Sequence, residues 1–228
     1  MEKSAKKIGM ITLDVVDRSL IGSSAKTMWP EFPYPILFQK AEGVTFERLG
    51  KHDLSLRDPM LEAGRKLVEA GVSALTGGCG FMGLFQKDFA DTFEVPPLLT
   101  SLCQIPMAAL MLGKKGKIGI LAANSESIDE AMLRRVGIDP TIPVHIKGLQ
   151  DKPHFFEVIY KLGRIVDTNV MKREFIECAQ EMIREDPAVR IVVCECTMLP
   201  VYRTAIQKAV GLPVFDWETM LDSLYTSL

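Results

Sequence analysis

Long runs of any one kind are missing from this chain, and each absence narrows what it can be. No stretch approaches the ~20 consecutive apolar residues of a membrane-spanning helix. No block of lysine and arginine marks a nucleic-acid or anionic-membrane surface, and the formal net charge over 228 residues is −2. Histidine is scarce. His52, His145 and His154 lie far apart, so a zinc site of ordinary ligand spacing is not expected. Cysteine is sparse and odd in number, at five, which argues against a disulfide framework. The opening MEKSAKKIGMITLD carries lysines but no apolar signal-peptide segment ahead of its first core-like run, so a cytoplasmic protein is expected.

What is present suits a soluble globular protein. Hydrophobic residues make up 47% and charged residues 25%, enough for a full core. Apolar runs alternate with amphipathic stretches. KIGMITL (Lys7–Leu13) reads as a strand, residues 14–43 as an irregular stretch around Trp29, Pro30, Pro33 and Pro35, and Val44–Leu49 as a second strand. Pro59–Ala70 reads as a helix, Val72–Thr76 as a buried strand, Phe81–Thr92 as a helix, Pro96–Thr100 as a strand and Ile105–Leu112 as a helix. The pattern then restarts. KIGILA (Lys117–Ala122) repeats the character of KIGMITL, followed by a helix over Glu126–Val136 and a strand over Ile142–Ile146. Helix over Phe155–Glu185, a buried strand IVVCEC (Ile191–Cys196), a helix over Val201–Val210, a short strand Val214–Asp216 and a terminal helix complete it. Methionines at helical spacing in 105–112 and 128–135 are expected in the core.

Strands apolar on both faces and alternating with helices predict an α/β fold of parallel sheets flanked by helices. The restart predicts two pseudo-symmetric lobes, with a cleft between them. In open α/β sheets ligands bind beyond the carboxyl ends of strands. Two cysteines sit at such ends. Cys79 lies in ALTGGCGFMG and Cys196 closes IVVCEC, about half a chain apart. Gly77, Gly78 and Gly80 around Cys79 let backbone or ligand approach closely and leave room for substrate. Each thiol precedes a helix-like stretch, whose N–H groups favour an anion. Two thiols facing one carbon can act as acid and base on opposite faces, one removing and one returning a proton, with no cofactor required.

Taken together, Gly78–Cys79–Gly80, Gly119–Ile120–Leu121–Ala122 and Glu195–Cys196–Thr197–Met198–Leu199–Pro200 resemble the aspartate/glutamate racemase superfamily, which includes hydantoin racemases, maleate isomerases and arylmalonate decarboxylases. The resemblance implies two α/β lobes, 1–112 and 113–212, with the final segment 213–228 returning to the first. It implies Cys79 and Cys196 as the catalytic pair, and it selects Cys196 over Cys194 through the following Thr197. It also implies carboxylate binding by Thr197 and by the Asn124–Ser125 loop.

Other residues have plainer readings beside their functional ones. Asn124 and Ser125 are equally suited to capping the helix that follows. Asp14 and Arg18 follow the first strand and can enter the cleft, Arg18 as a distal carboxylate anchor. Cys194 fits core packing, and Cys103 and Cys178 have no assigned role. Gly80, Phe81 and Met198 stand where amino-acid racemases often carry polar residues, so a substrate less polar than aspartate is indicated. The expected activity is racemisation or epimerisation beside a carboxylate, on an amino acid, hydantoin or related small acid. Isomerisation or decarboxylation of a dicarboxylate is the alternative, and a non-catalytic binding protein a third. No metal or cofactor is expected, and a homodimer is the expected assembly.

Overall fold

The computed structural model describes residues 6–14, 32–161 and 166–228. Two parallel four-stranded sheets form its frame, in the orders β2-β1-β3-β4 and β6-β5-β7-β8. The first contains β1 (Ile8–Thr12), β2 (Ile36–Lys40), β3 (Ala74–Gly77) and β4 (Pro97–Leu98). The second contains β5 (Lys117–Ala122), β6 (Val144–Gly148), β7 (Val189–Cys194) and β8 (Val214–Phe215). The two orders are the same once the second set is renumbered from its own start, so the expected α/β fold of two pseudo-symmetric lobes is what the chain adopts.

The central strands explain themselves. All five residues of β1 are buried, as are all four of β3, because helices cover both faces of a parallel sheet. Edge strand β2 is more open, with Leu37 and Phe38 partly exposed. The helices are α1 (Phe46–Gly50), α2 (Arg57–Glu69), α3 (Gln86–Thr92), α4 (Ile105–Leu112), α5 (Glu130–Arg135), α6 (Pro153–Ile159), α7 (Thr168–Glu185), α8 (Arg203–Val210) and α9 (Trp217–Ser227). α9 lies on the first sheet, where Trp217, Met220 and Leu221 pack with Ile8, Met10 and Ala74. The Trp217 indole donates to Thr76 Oγ1 at 3.2 Å, pinning that helix to β3.

Several expectations change. The second strand is Ile36–Lys40, inside the stretch read as irregular, and Val44–Leu49 is not a strand. Pro35 masks the strand start, yet its carbonyl accepts from Ile8 N–H at 3.1 Å and begins the pairing. Thr45 Oγ1 accepts from Arg48 N–H and caps α1, turning an apolar run into a helix. Val214–Phe215 joins the second sheet, so the chain crosses back at Asp216 rather than at residue 213. Met107 and Met111 are 48% and 60% exposed, against their expected place in the core, whereas Met132 is buried. Cys196 lies beyond β7, outside the strand expected over Ile191–Cys196.

Candidate functional site

Both sheets end alike on the side where the site forms. Cys79 is the second residue beyond β3, and Cys196 the second beyond β7. Between strand and thiol, Gly78 N–H donates to Ile11 of β1 at 2.8 Å, and Glu195 N–H donates to Leu121 of β5 at 2.9 Å. β3 and β7 hold the same place in their sheets, so Gly78–Cys79–Gly80 and Glu195–Cys196–Thr197 are equivalent triplets.

The triplets interlock across the lobes. Thr197 Oγ1 donates to the Gly78 carbonyl at 3.0 Å. The Glu195 side chain lies over Gly80, where a Cβ would fall 2.1 Å from its Oε1 and 2.3 Å from its backbone oxygen. Gly77 and Gly78 are also closely approached, a Cβ falling 2.5 Å from Leu99 O and 3.0 Å from Ile11 O respectively. None of the three needs a positive φ. The glycines around Cys79 make room for the protein's own backbone and for Glu195, which corrects the expectation that they leave space for a ligand.

Each thiol is met by backbone donors. Phe81 N–H lies near the Cys79 sulfur, Met82 N–H donates to the Cys79 carbonyl at 3.0 Å beside it, and Met198 N–H lies near the Cys196 sulfur. Both side chains are buried, 7% and 8% exposed. That burial pushes both thiols well above the ordinary range, the Glu195 charge adds to it, and the N–H groups only oppose it. The expected stabilisation of a thiolate by helix-end donors is thus outweighed by burial.

Glu195 itself is 1% exposed. Its Oε2 accepts from Ala123 N–H at 3.1 Å, and it has no ion pair among the described residues. Burial pushes its carboxyl up to about 7, the Ala123 N–H restraining the rise. Tyr160, just past α6, completes the surroundings. Its hydroxyl is buried beside Asn124 without a hydrogen bond of ordinary geometry. Burial first, then the charges at Cys196 and Glu195, push it up to about 12. The Phe46 ring sits 5.2 Å from both Phe81 and Tyr160, so an aromatic trio bridges the lobes next to the thiols.

No family model matches the chain. A dimethylsulfoniopropionate lyase from Durusdinium sp. clade D is 30% identical over 216 residues, covering 92% of this chain and 70% of that protein. Dimethylsulfoniopropionate lyase 3 of Emiliania huxleyi is 30% identical over 207 residues, 86% of this chain. The chain spans about half the length of that relative, 54%. Glutamate racemase from Bacillus anthracis superposes with a TM-score of 0.60 over 97% of this chain and 82% of that one, at 18% identity. The chain belongs to the family of the dimethylsulfoniopropionate lyases. Its fold is the one seen in glutamate racemase.

In this family member the other expected site residues fall into place unevenly. Asn124 and Ser125 open the loop after β5. Asn124 Oδ1 caps the turn through Glu126 N–H at 3.0 Å, and Ser125 is bound through its N–H and its hydroxyl to Gln150. Asp14 is the second residue beyond β1, but its carboxylate is taken by Lys40 at 2.7 Å and by Gly43 N–H at 2.7 Å. Those two contacts, Lys40 first, hold it below the usual carboxylate range. Arg18 lies outside the described residues. Cys194 is fully buried, and Cys178 donates to Gly148 O at 3.3 Å. Among the described residues no group of three His, Cys, Asp or Glu is placed to hold a metal, and no helix is long and apolar enough to cross a membrane. Sequence reasoning missed Glu195 and Tyr160. A carboxylate inside the apolar run IVVCEC was a legible signal for the first. The second depends on tertiary packing alone.

Proposed function

We propose that the chain is a cofactor-independent lyase that removes the proton beside the carboxylate of a small β-sulfonio acid of the dimethylsulfoniopropionate class. The observation that carries this reading is the pair of buried thiols at matched strand ends, in a chain 30% identical over 92% of its length to a dimethylsulfoniopropionate lyase. A thiolate of Cys79 or Cys196 takes the proton from Cα. The C–H electron pair becomes the Cα=Cβ bond, and the Cβ–S electrons leave with the sulfide. The products are acrylate, dimethyl sulfide and a protonated thiol, which returns its proton to solvent.

The surroundings suit such a substrate. The carboxylate is held at the 124–125 loop, where the Asn124 amide N–H and the Ser125 O–H remain to donate, with Thr197 and the Gly78 and Gly80 backbone close by. The sulfonium, a cation without hydrogen-bond donors, is matched by the faces of Phe46, Phe81 and Tyr160. Polar residues at 81 and 198 would serve an amino group better, and Phe81 and Met198 stand there instead.

A second reading is racemisation or epimerisation of an amino acid, hydantoin or related small acid. The matched placement of a thiol from each lobe favours it, since one thiol takes the α-proton and the other returns one to the opposite face. One experiment separates the two. The protein is incubated with dimethylsulfoniopropionate and with single-enantiomer acids in D₂O. Headspace dimethyl sulfide, α-deuteration and chirality are then read. Sulfide release that drops about 10³-fold or more in Cys79→Ser and Cys196→Ser supports the lyase. Deuteration with inversion and no sulfide supports the racemase. Neither product from any substrate removes both readings.

A further inference from the structure

One buried carboxyl lies beside the sulfur pair. Glu195 has no counterpart in the first lobe, where Gly78 takes the equivalent place. Its Oε2 is occupied by Ala123 N–H, whereas Oε1 has no hydrogen-bond partner and lies against Gly80, the residue bonded to Cys79. The titratable groups that face it are Cys79, its chain neighbour Cys196, and the Tyr160 hydroxyl; no cation among the described residues pairs with it. Cys194 feels Asp216 and Cys196 instead. Two thiols and one carboxyl in a water-poor space cannot each carry a charge, since like charges at close range in low dielectric are strongly unfavourable.

We propose that Glu195 is the proton partner of Cys79: the resting site keeps its single negative charge on the Glu195 carboxylate, and the Cys79 proton moves to Oε1 when a thiolate is needed. The transfer is balanced. The S–H bond breaks, an O–H bond forms on Oε1, and the charge passes from oxygen to sulfur. With both thiols raised far by burial and the carboxyl raised only to about 7, the oxygen holds the charge. A resting site of this kind keeps both sulfurs as thiols, which are poor nucleophiles, until substrate enters. The inference rests on the carbon-acid reading above for the use of the thiolate, but the proton exchange itself is measurable without turnover.

The test is the pH profile of alkylation by iodoacetamide at Cys79 and Cys196 in the whole, substrate-free protein, each read from its own peptide. Two coupled acids share a proton, so the thiolate form appears as the pair first ionises and then holds a fixed share. At Cys79 the wild-type rate is expected to rise until about pH 7, change less than about twofold between pH 7.5 and 8.5, and rise again at higher pH. In Glu195→Gln, which keeps an oxygen for Ala123 N–H, the plateau disappears and the rate rises about tenfold over the same unit. Glu195→Asp is expected to restore a plateau. A profile at Cys79 with no plateau in the wild type overturns the proposal, and so does a plateau that survives in Glu195→Gln. If Glu195→Gln does not fold, the wild-type profile alone decides. A plateau in a protein that turns over no acid keeps this proposal and removes the functional reading. Turnover without a plateau does the reverse.

Discussion

The two lobes end their third strands with the same backbone and different side chains. Gly-Cys-Gly follows β3, and Glu-Cys-Thr follows β7. The backbone repeats to the hydrogen bond, Gly78 to Ile11 and Glu195 to Leu121. The side chains do not repeat, and they could not. Glu195 needs the space that Gly80 leaves, and the Thr197 hydroxyl reaches the Gly78 carbonyl. A lobe carrying Glu-Cys-Thr therefore fits against one carrying Gly-Cys-Gly, whereas a second Glu-Cys-Thr in place of Gly-Cys-Gly would put a Cβ at position 80 against Glu195. The difference teaches that the internal symmetry was broken where the lobes touch. It also leaves one carboxyl, not two, beside the sulfur pair.

Breaking the fit from the glycine side is expected to have the largest effect. In Gly80→Ala the new Cβ would meet Glu195 Oε1 at 2.1 Å and Glu195 O at 2.3 Å. The side-chain oxygen can move, but the backbone oxygen can move only with the strand end. A loss of about 3 kcal/mol or more is expected in urea unfolding, with activity falling as the thiols separate. Adding Glu195→Ala should recover only part of that loss, because the backbone clash remains. Full recovery in the double variant would mean that the lobes touch through the carboxyl alone.

The same contact marks the limit of what could be read from the chain. The restart at Lys117, the two thiols at strand ends and the parallel sheets all follow from local pattern, because buried strands and the glycines near them carry composition signals. What the glycines make room for does not. Gly80 reads as space for substrate until Glu195, 115 positions away, is placed over it. Strand β2 was hidden by Pro33 and Pro35, whose turn signal overrode five residues of edge strand. The thiol environment departs from its expectation for a physical reason as well. Sequence shows the donors that follow a cysteine but not the burial that outweighs them.

Glu195 offers a sharper test of the asymmetry through pH. Its carboxyl titrates near 4.5 unfolded and is raised to about 7 when folded, chiefly by burial. The unfolded chain therefore releases this proton first. The stability tied to the protonated carboxyl is fully present below about pH 4.5 and is lost as pH rises to about 7, beyond which it changes no further. Asp216, raised to about 6 by burial, slopes the same way, so the wild-type curve alone does not isolate Glu195. The difference between wild type and Glu195→Gln does. Between pH 5 and 7 the wild type should lose about 2 kcal/mol more than the variant. Equal slopes would mean that burial does not raise the folded carboxyl above its unfolded value.

Thr197→Val is the mildest way to disturb the fit. It keeps the side-chain volume and removes only the hydrogen bond to Gly78 O at 3.0 Å. Gly78 is buried, and its carbonyl would lose the partner that crosses the lobes. A net loss of about 1 kcal/mol is expected in denaturant unfolding. The comparison lies in how activity responds. Were the hydroxyl a direct donor to the substrate carboxylate, as the family resemblance implies, the variant should raise KM with little change in stability. The observed bond gives the hydroxyl proton to Gly78, so it holds the loop that presents Cys79. On that account kcat falls a few-fold while KM stays close to that of the wild type. A KM rise of tenfold at unchanged kcat would return Thr197 to the carboxylate and take its hydroxyl out of the interlobe contact during turnover.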